Sequence, residues 1–199
     1  MTWKPDIEGQ PKRSEVSKCR LRLIPYCLGV GLDIGCGNDK ILNKTIGVDR
    51  DGKADINLDV SNGLFIFADE VFDYIFSAHC LEDFQFPEIV LKDWWSKVKV
   101  GGYLILYLPH KDLYPNIGQV GCNVDHKHDF VPQDIVNMMD NFFASYVIVH
   151  QRVNNEDDEY SFEIVFKKLA NFKLPNKYMA YSSRAINFNW NEVAVSQGI

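Results

Sequence analysis

Paired cysteines are missing from this sequence. Its five cysteines, at positions 19, 27, 36, 80 and 122, are odd in number and none stands in a C-x-x-C arrangement. Neither a disulfide framework nor a cysteine-rich zinc site is encoded, and free thiols of a reducing compartment are expected. Basic charge is not in excess either: 21 lysines and arginines face 27 acids, a net charge of −6, which argues against a protein that coats nucleic acid. No apolar run approaches the about 18 residues of a membrane span. The opening stretch MTWKPDIEGQPKRSE lacks the apolar centre of a secretory leader, so the expected location is the cytoplasm. Internal repeats and low-complexity tracts are absent as well. What remains is an ordinary globular composition, 46 % hydrophobic and 24 % charged over 199 residues, enough to bury a core in one domain with an appendage.

Residues 1–13 are polar and read as an arm, followed by a short amphipathic helix over 14–27 with Val16, Cys19, Leu23 and Cys27 near one face. Together they make an N-terminal region, 1–27. The main domain is expected over 28–169. Its strands are read at 28–34, 45–49, 54–60, 72–79 and 101–109, with a helix at 87–98 opened by Pro87. Buried strands alternating with helices imply a parallel sheet covered on both faces. A helix at 132–142 precedes two strands, 144–153 and 160–169, joined by the polar turn NNEDDE, and strands joined so closely are antiparallel. The expected fold class is therefore α/β: a Rossmann-like, doubly wound seven-stranded sheet with five parallel strands and a terminal antiparallel hairpin. Nicotinamide-binding sheets continue parallel to a sixth strand, so this ending points elsewhere. The tail, 170–199, interleaves Lys173, Lys177 and Arg184 with Phe172, Tyr178, Tyr181, Phe188 and Trp190, and reads as a lid or an interface.

The stretch GLDIGCGNDK, residues 31–40, runs from an apolar strand into a glycine turn. A dinucleotide fingerprint, G-x-G-x-x-G, needs a third glycine where this chain has Lys40, and it opens a helix for which there is little room before TIGVD. Asp33 puts a carboxylate beside the turn, which repels phosphate and suits an amine next to a positive centre. Asp49, ending IGVD, suits both hydroxyls of a ribose. Asp59, ending INLD, suits the exocyclic amine of adenine. Ribose, adenine, an amine and a cationic centre together describe S-adenosylmethionine.

These segments resemble the class I S-adenosylmethionine-dependent methyltransferases, of the type 11 kind. LDIGCGN is similar to the first motif of that family and IGVDRDGKADINLDV to its second and third segments. FDYIFSAHCLEDF is similar to the fourth strand and its loop, VKVGGYLILYLP to the fifth strand, and HKHDFVPQDIVNMM to the segment that often follows. The resemblance covers roughly 28–169 and implies the strand order 3-2-1-4-5-7-6. It implies that Asp33, Gly35, Cys36 and Gly37 hold the methionine part of the cofactor. It gives the ribose to Asp49 with Arg50 beside it, the adenine to Asp59 and Val60, and the floor near the sulfonium to Ser77, Ala78 and His79. Two departures stand out: the first helix is cut short, and Asp83 stands where many members have histidine.

A base is needed where the methyl acceptor is a hydroxyl, and histidine titrates in the right range. His79 follows the fourth strand and His110 the fifth, which makes His110 the first candidate as base or substrate contact and His79 the second. His126 and His128, in DHKHD, are further substrate-binding candidates. On a strand these two would share a face with Asp125 and Asp129 beside them and could hold an ion, yet no further ligand set is evident, and no metal is expected. The expected reaction is methyl transfer to a small-molecule or sugar-like acceptor, similar to methyltransferases found beside polysaccharide genes. The alternatives are a nucleic-acid methyltransferase using the basic, aromatic tail, a non-catalytic binder of the cofactor, and cleavage of the cofactor without an acceptor. A homodimer formed through the tail is also expected, and no membrane partner.

Overall fold

Period-two alternation decides which way each strand faces. In the computed structural model, which describes residues 14–50, 53–142, 144–155 and 158–170, the strands are β1 (Gly31–Ile34), β2 (Ile46–Asp49), β3 (Ile56–Asn57), β4 (Phe72–Ala78), β5 (Val98–Pro109), β6 (Tyr146–Asn154) and β7 (Ser161–Lys168). They form a seven-stranded sheet in the order β3-β2-β1-β4-β5-β7-β6. The first five pair in parallel, and β7 runs antiparallel to both β5 and β6. The expected fold class and strand order are both observed.

Leu32, Ile34, Ile75, Leu104, Leu106 and Leu108 point to one face, where helices α2 (Pro87–Lys97) and α3 (Pro132–Asn141) bury them with Trp94 and Met139. Tyr74, Phe76, Ala78, Ile105, Tyr107 and Val165 point to the other face. There they meet helix α1 (Glu15–Leu23) through Val16, Cys19 and Leu23. Ser14 caps α1, its hydroxyl oxygen accepting from the Ser17 amide at 3.0 Å. The chain between β1 and β2 makes only turns, and Ile41, fully buried, fills the space beside α1. The helix cut short in the sequence is thus absent, and the helix preceding β1 covers that face.

Several boundaries move, each for a local reason. The helix read over 14–27 ends at Leu23 and tightens into a 3-10 turn over Ile24–Tyr26, where Pro25 cannot donate to a helical ladder. β1 starts at Gly31 rather than 28: Leu28 and Val30 are exposed, and a Cβ at Gly31 would lie 1.9 Å from Cζ of the Tyr74 ring. β3 keeps two residues because Asp59 starts a 3-10 turn, Val60–Asn62, by accepting from the Ser61 amide at 3.0 Å. β5 begins at Val98, straight out of α2. The Gly101-Gly102 pair lies inside the strand as an irregularity, where the β4–β5 register shifts between Phe72 and Tyr74 and Gly101 takes φ +85°. Of the expected arm and tail, 1–13 and 171–199 lie outside the described residues. Among the described residues no helix is long and apolar enough to cross a membrane.

Candidate functional site

The parallel strands deliver their carboxyl ends to one edge of the sheet, where open α/β folds bind ligands. A cleft of about 280 Å³ lies there, walled by Gly35 after β1, Asp49 and Arg50 after β2, Asp59 and Val60 after β3, and His79 after β4. Those six were all expected to hold the cofactor. Leu58, Ser61, Cys80, Asp83, Phe84 and Gln85 complete the lining; none of them had been assigned a role.

The glycine turn is held open from beneath. Gly35 has φ +70°, its amide donates to Val48 O at 2.9 Å, and an added Cβ would lie 2.6 Å from Cys80 Sγ. Gly37 has φ +52° and donates its amide to Asp49 Oδ2 at 2.8 Å. The carboxylate at the tip of β2 therefore fixes the turn as well as facing the cleft. Asp59 lies at the rim; hydrogen bonds from the Ser61 hydroxyl and amide hold its carboxyl below the usual carboxylate range. A bare-backbone turn that a side chain would fill, with carboxylates on the two adjacent strand tips, fits an adenosine whose ribose and base offer hydroxyl and amine donors.

Asp33, Cys36, Gly37, Ser77 and Ala78 lie outside the lining. Strand alternation turns Asp33 toward the α1 face, where Oδ2 accepts from the Ile41 amide at 2.6 Å and Oδ1 is buried without a partner. Burial lifts its carboxyl to about 7. A carboxyl raised in the fold stabilises it only while protonated. The ligand-free protein should lose stability as pH rises from about 4 to about 7, and Asp33→Asn should flatten that limb in thermal melts taken across the range. Cys36 is buried beside Gly47, its thiol pushed up to about 11 by burial. Ser77 Oγ donates to Ile34 O at 2.9 Å and ties β4 to β1. Ala78 packs on the α1 face.

The four candidate histidines do not converge. His79 sits at the end of β4 with φ 48°, a left-handed conformation costly for a residue with a Cβ. Its Nε2 shares a hydrogen bond with Ser161 Oγ at 2.7 Å and lies 3.5 Å from Glu15 Oε2; its ring stands against Tyr107 and Tyr160. Burial lowers its pKa to about 4. Behind it Tyr160 donates to Glu15 Oε1 at 2.7 Å, and Lys18 Nζ donates to the same oxygen at 2.9 Å. His110 lies past β5, away from this cleft: its Nδ1 accepts from the Asp112 amide at 3.2 Å and its ring edge meets Phe162. His126 is buried beside Tyr114, its Nε2 3.6 Å from Glu82 Oε1. His128 stacks on Phe130 at 5.4 Å and borders a separate surface depression with Lys111 and Asp134. Segment 125–129 is not a strand, so the two histidines do not share a face.

Glu15, Tyr160 and Ser161 come from the two ends of the domain, and sequence reasoning missed them for want of any local spacing signal. Glu82 stood in plain view, in the quoted segment FDYIFSAHCLEDF, as an acid between Leu81 and Asp83.

Comparisons bear on this arrangement in three ways. Residues 32–106 match a family model described as a methyltransferase domain. No curated protein matches the chain by sequence. Solved structures share its fold. An S-adenosylmethionine-dependent methyltransferase from Archaeoglobus fulgidus is 19 % identical at TM-score 0.58, over 77 % of this chain and 94 % of that one. One from Mesorhizobium loti is 11 % identical at TM-score 0.59, over 78 % and 98 %. The 1,6-didemethyltoxoflavin-N1-methyltransferase of Burkholderia thailandensis, solved with 1,6-didemethyltoxoflavin and S-adenosylhomocysteine bound, is 12 % identical at TM-score 0.59, over 78 % and 79 %.

Proposed function

We propose that this chain is a class I S-adenosylmethionine-dependent methyltransferase, a reading supported by the methyltransferase family model over residues 32–106 and by the shared fold, and that it methylates a hydroxyl of a small-molecule or sugar-like acceptor, with His79 as the proton-accepting residue. The single observation behind this reading is the position of His79. Of the four candidate histidines it alone borders the cleft that Gly35, Asp49 and Asp59 also border.

The cofactor supplies a methyl group already activated on a sulfonium. The protein's work is to bind, orient and dry the site. Gly35 and Gly37 would let the cofactor lie against bare backbone. Asp49 would accept from the ribose hydroxyls, and Asp59 from the adenine amine. His79, kept neutral by burial, is free to take a hydroxyl proton, with Ser161 and Glu15 fixing its ring. His110, His126 and His128 lie farther round the same end of the sheet and are assigned to the acceptor side.

The test is a His79→Asn variant alongside the wild type. Both are titrated calorimetrically with S-adenosylhomocysteine, then incubated with S-adenosylmethionine and a panel of polyhydroxyl acceptors read by mass spectrometry. The variant should bind within a few-fold of wild type and lose roughly 100-fold or more in turnover. Equal turnover would remove His79 from the chemistry, and methylation confined to amines or nucleic acid would remove the hydroxyl acceptor.

A further inference from the structure

A second group of residues, adjoining the cleft, is left unexplained by methyl transfer. Glu82 follows β4 in a 3-10 turn, Leu81–Asp83. It is 0 % exposed, and neither of its carboxylate oxygens has a hydrogen-bond partner. Nor does any lysine or arginine among the described residues form an ion pair with it; two histidines stand beside it, His126 Nε2 at 3.6 Å and His79 Nδ1 at 4.0 Å from Oε1. A buried carboxyl without partners is costly, because it forfeits hydration and receives nothing in return. Asp83, next in the chain, has its own Oδ1 buried and unpartnered.

The backbone explains how the third member arrives. The Glu82 carbonyl accepts from two consecutive amides, Lys127 at 2.9 Å and His128 at 3.2 Å. That clamp brings the HKH segment against the turn and sets the His126 ring beside the Glu82 carboxylate. One ligand atom from each of Glu82, Asp83 and His126 then lies within 4.8 Å of the other two, a spacing that a single ion at ordinary metal–ligand distances of about 2.0–2.2 Å bridges with small side-chain adjustments.

We infer that Glu82, Asp83 and His126 bind a divalent first-row metal ion. Two carboxylate oxygens and one imidazole nitrogen make a mixed set that suits Zn²⁺ or Mn²⁺ and disfavours Mg²⁺, which keeps its waters and prefers oxygen. The ion supplies positive charge to the fully buried Glu82 and the half-buried Asp83 beside it, and it gives the Glu82 carboxylate a partner. Three protein ligands leave coordination positions open. Asp83 also lines the cleft, so those positions are next to the space where an acceptor would lie. The site differs from the one the sequence suggested, in which His126 and His128 would have acted as a pair: His128 is committed to Phe130.

The experiment uses the full chain stripped with a chelator. Mn²⁺ is titrated by loss of the free-ion paramagnetic resonance signal, and Zn²⁺ by competition with a chromogenic chelator, for wild type, Glu82→Gln, His126→Ala and Cys122→Ser. Cys122 is the control for thiol binding, since its Sγ lies 4.0 Å from His126 Nδ1. Wild type and Cys122→Ser should each bind one equivalent of either ion, with Glu82→Gln and His126→Ala weaker by roughly 100-fold or more. Affinity for S-adenosylhomocysteine, measured on the same samples, shows that each variant is folded. Wild-type protein that binds this nucleoside but neither metal overturns the metal site and leaves the methyltransferase reading standing. Metal binding that survives both ligand substitutions, or is lost with Cys122, also overturns it.

Discussion

Arg22→Ala is expected to destabilise the protein by about 3–5 kcal/mol, the usual cost of stripping one partner from a buried ion pair. Glu163, on β7, is fully buried. Its Oε1 accepts from Arg22 Nε at 2.5 Å and from Asn154 Nδ2 at 3.3 Å, and its Oε2 shares a hydrogen bond with His150 Nε2 at 2.7 Å. Arg22 also forks onto Glu159, at 3.1 and 2.7 Å, so one guanidinium joins α1 to two acids of the terminal hairpin. Truncating it leaves a carboxylate in the interior with only neutral partners or a histidine. The loss should appear in both thermal and urea unfolding. Adding Glu163→Gln to the Arg22→Ala variant should restore a large part of it, because the stranded charge is gone. A single-variant loss below about 1 kcal/mol, the range of an exposed pair, would mean that this contact does not hold α1 in place.

Asp49→Ala is expected to weaken S-adenosylhomocysteine binding by roughly 100-fold. Two hydrogen bonds from ribose hydroxyls to a charged acceptor are each worth about 1.5–3 kcal/mol, and each 1.4 kcal/mol is tenfold in affinity. The same carboxylate receives the Gly37 amide, so the alanine also loosens the glycine turn. Asp49→Asn keeps an oxygen for one donor and should lose only about tenfold on the same scale. Calorimetry reads both. An unchanged affinity, or tighter binding of a pyridine dinucleotide, would overturn the assignment of this cleft to an adenosine carrying a sulfur amino acid.

Much of this was legible before any coordinates. The glycine turn, the acids ending β2 and β3, and the hairpin that closes the sheet are local signals, and each resides in a few consecutive residues. The exact start of β1 was not legible, since it depends on Gly31 meeting the ring of Tyr74 on a neighbouring strand. The strand character of Val98–Val100 was hidden by the glycine pair after it, which looks like a terminator and instead serves a register shift. The direction of Asp33 follows from alternation once the two faces of the sheet are known, and only then. The histidines were judged by their distance along the chain from strand ends. His79 and His110 both follow a strand, yet one borders the cleft and the other caps its own loop through Asp112. The surroundings of Glu82 depend on a carbonyl clamped by amides 45 and 46 positions away, at Lys127 and His128, which no spacing rule reports.

The helix that precedes β1 has a bearing on how this protein can be cut. Because the chain forms no helix between β1 and β2, the layer shielding Tyr74, Phe76, Ile105, Tyr107 and Val165 is supplied from the amino-terminal side, by Val16, Cys19 and Leu23. The family match starts at residue 32, so a fragment trimmed to it would expose that half of its interior to water. The smallest autonomous folding unit must therefore reach back at least to Ser14, which starts the shielding segment.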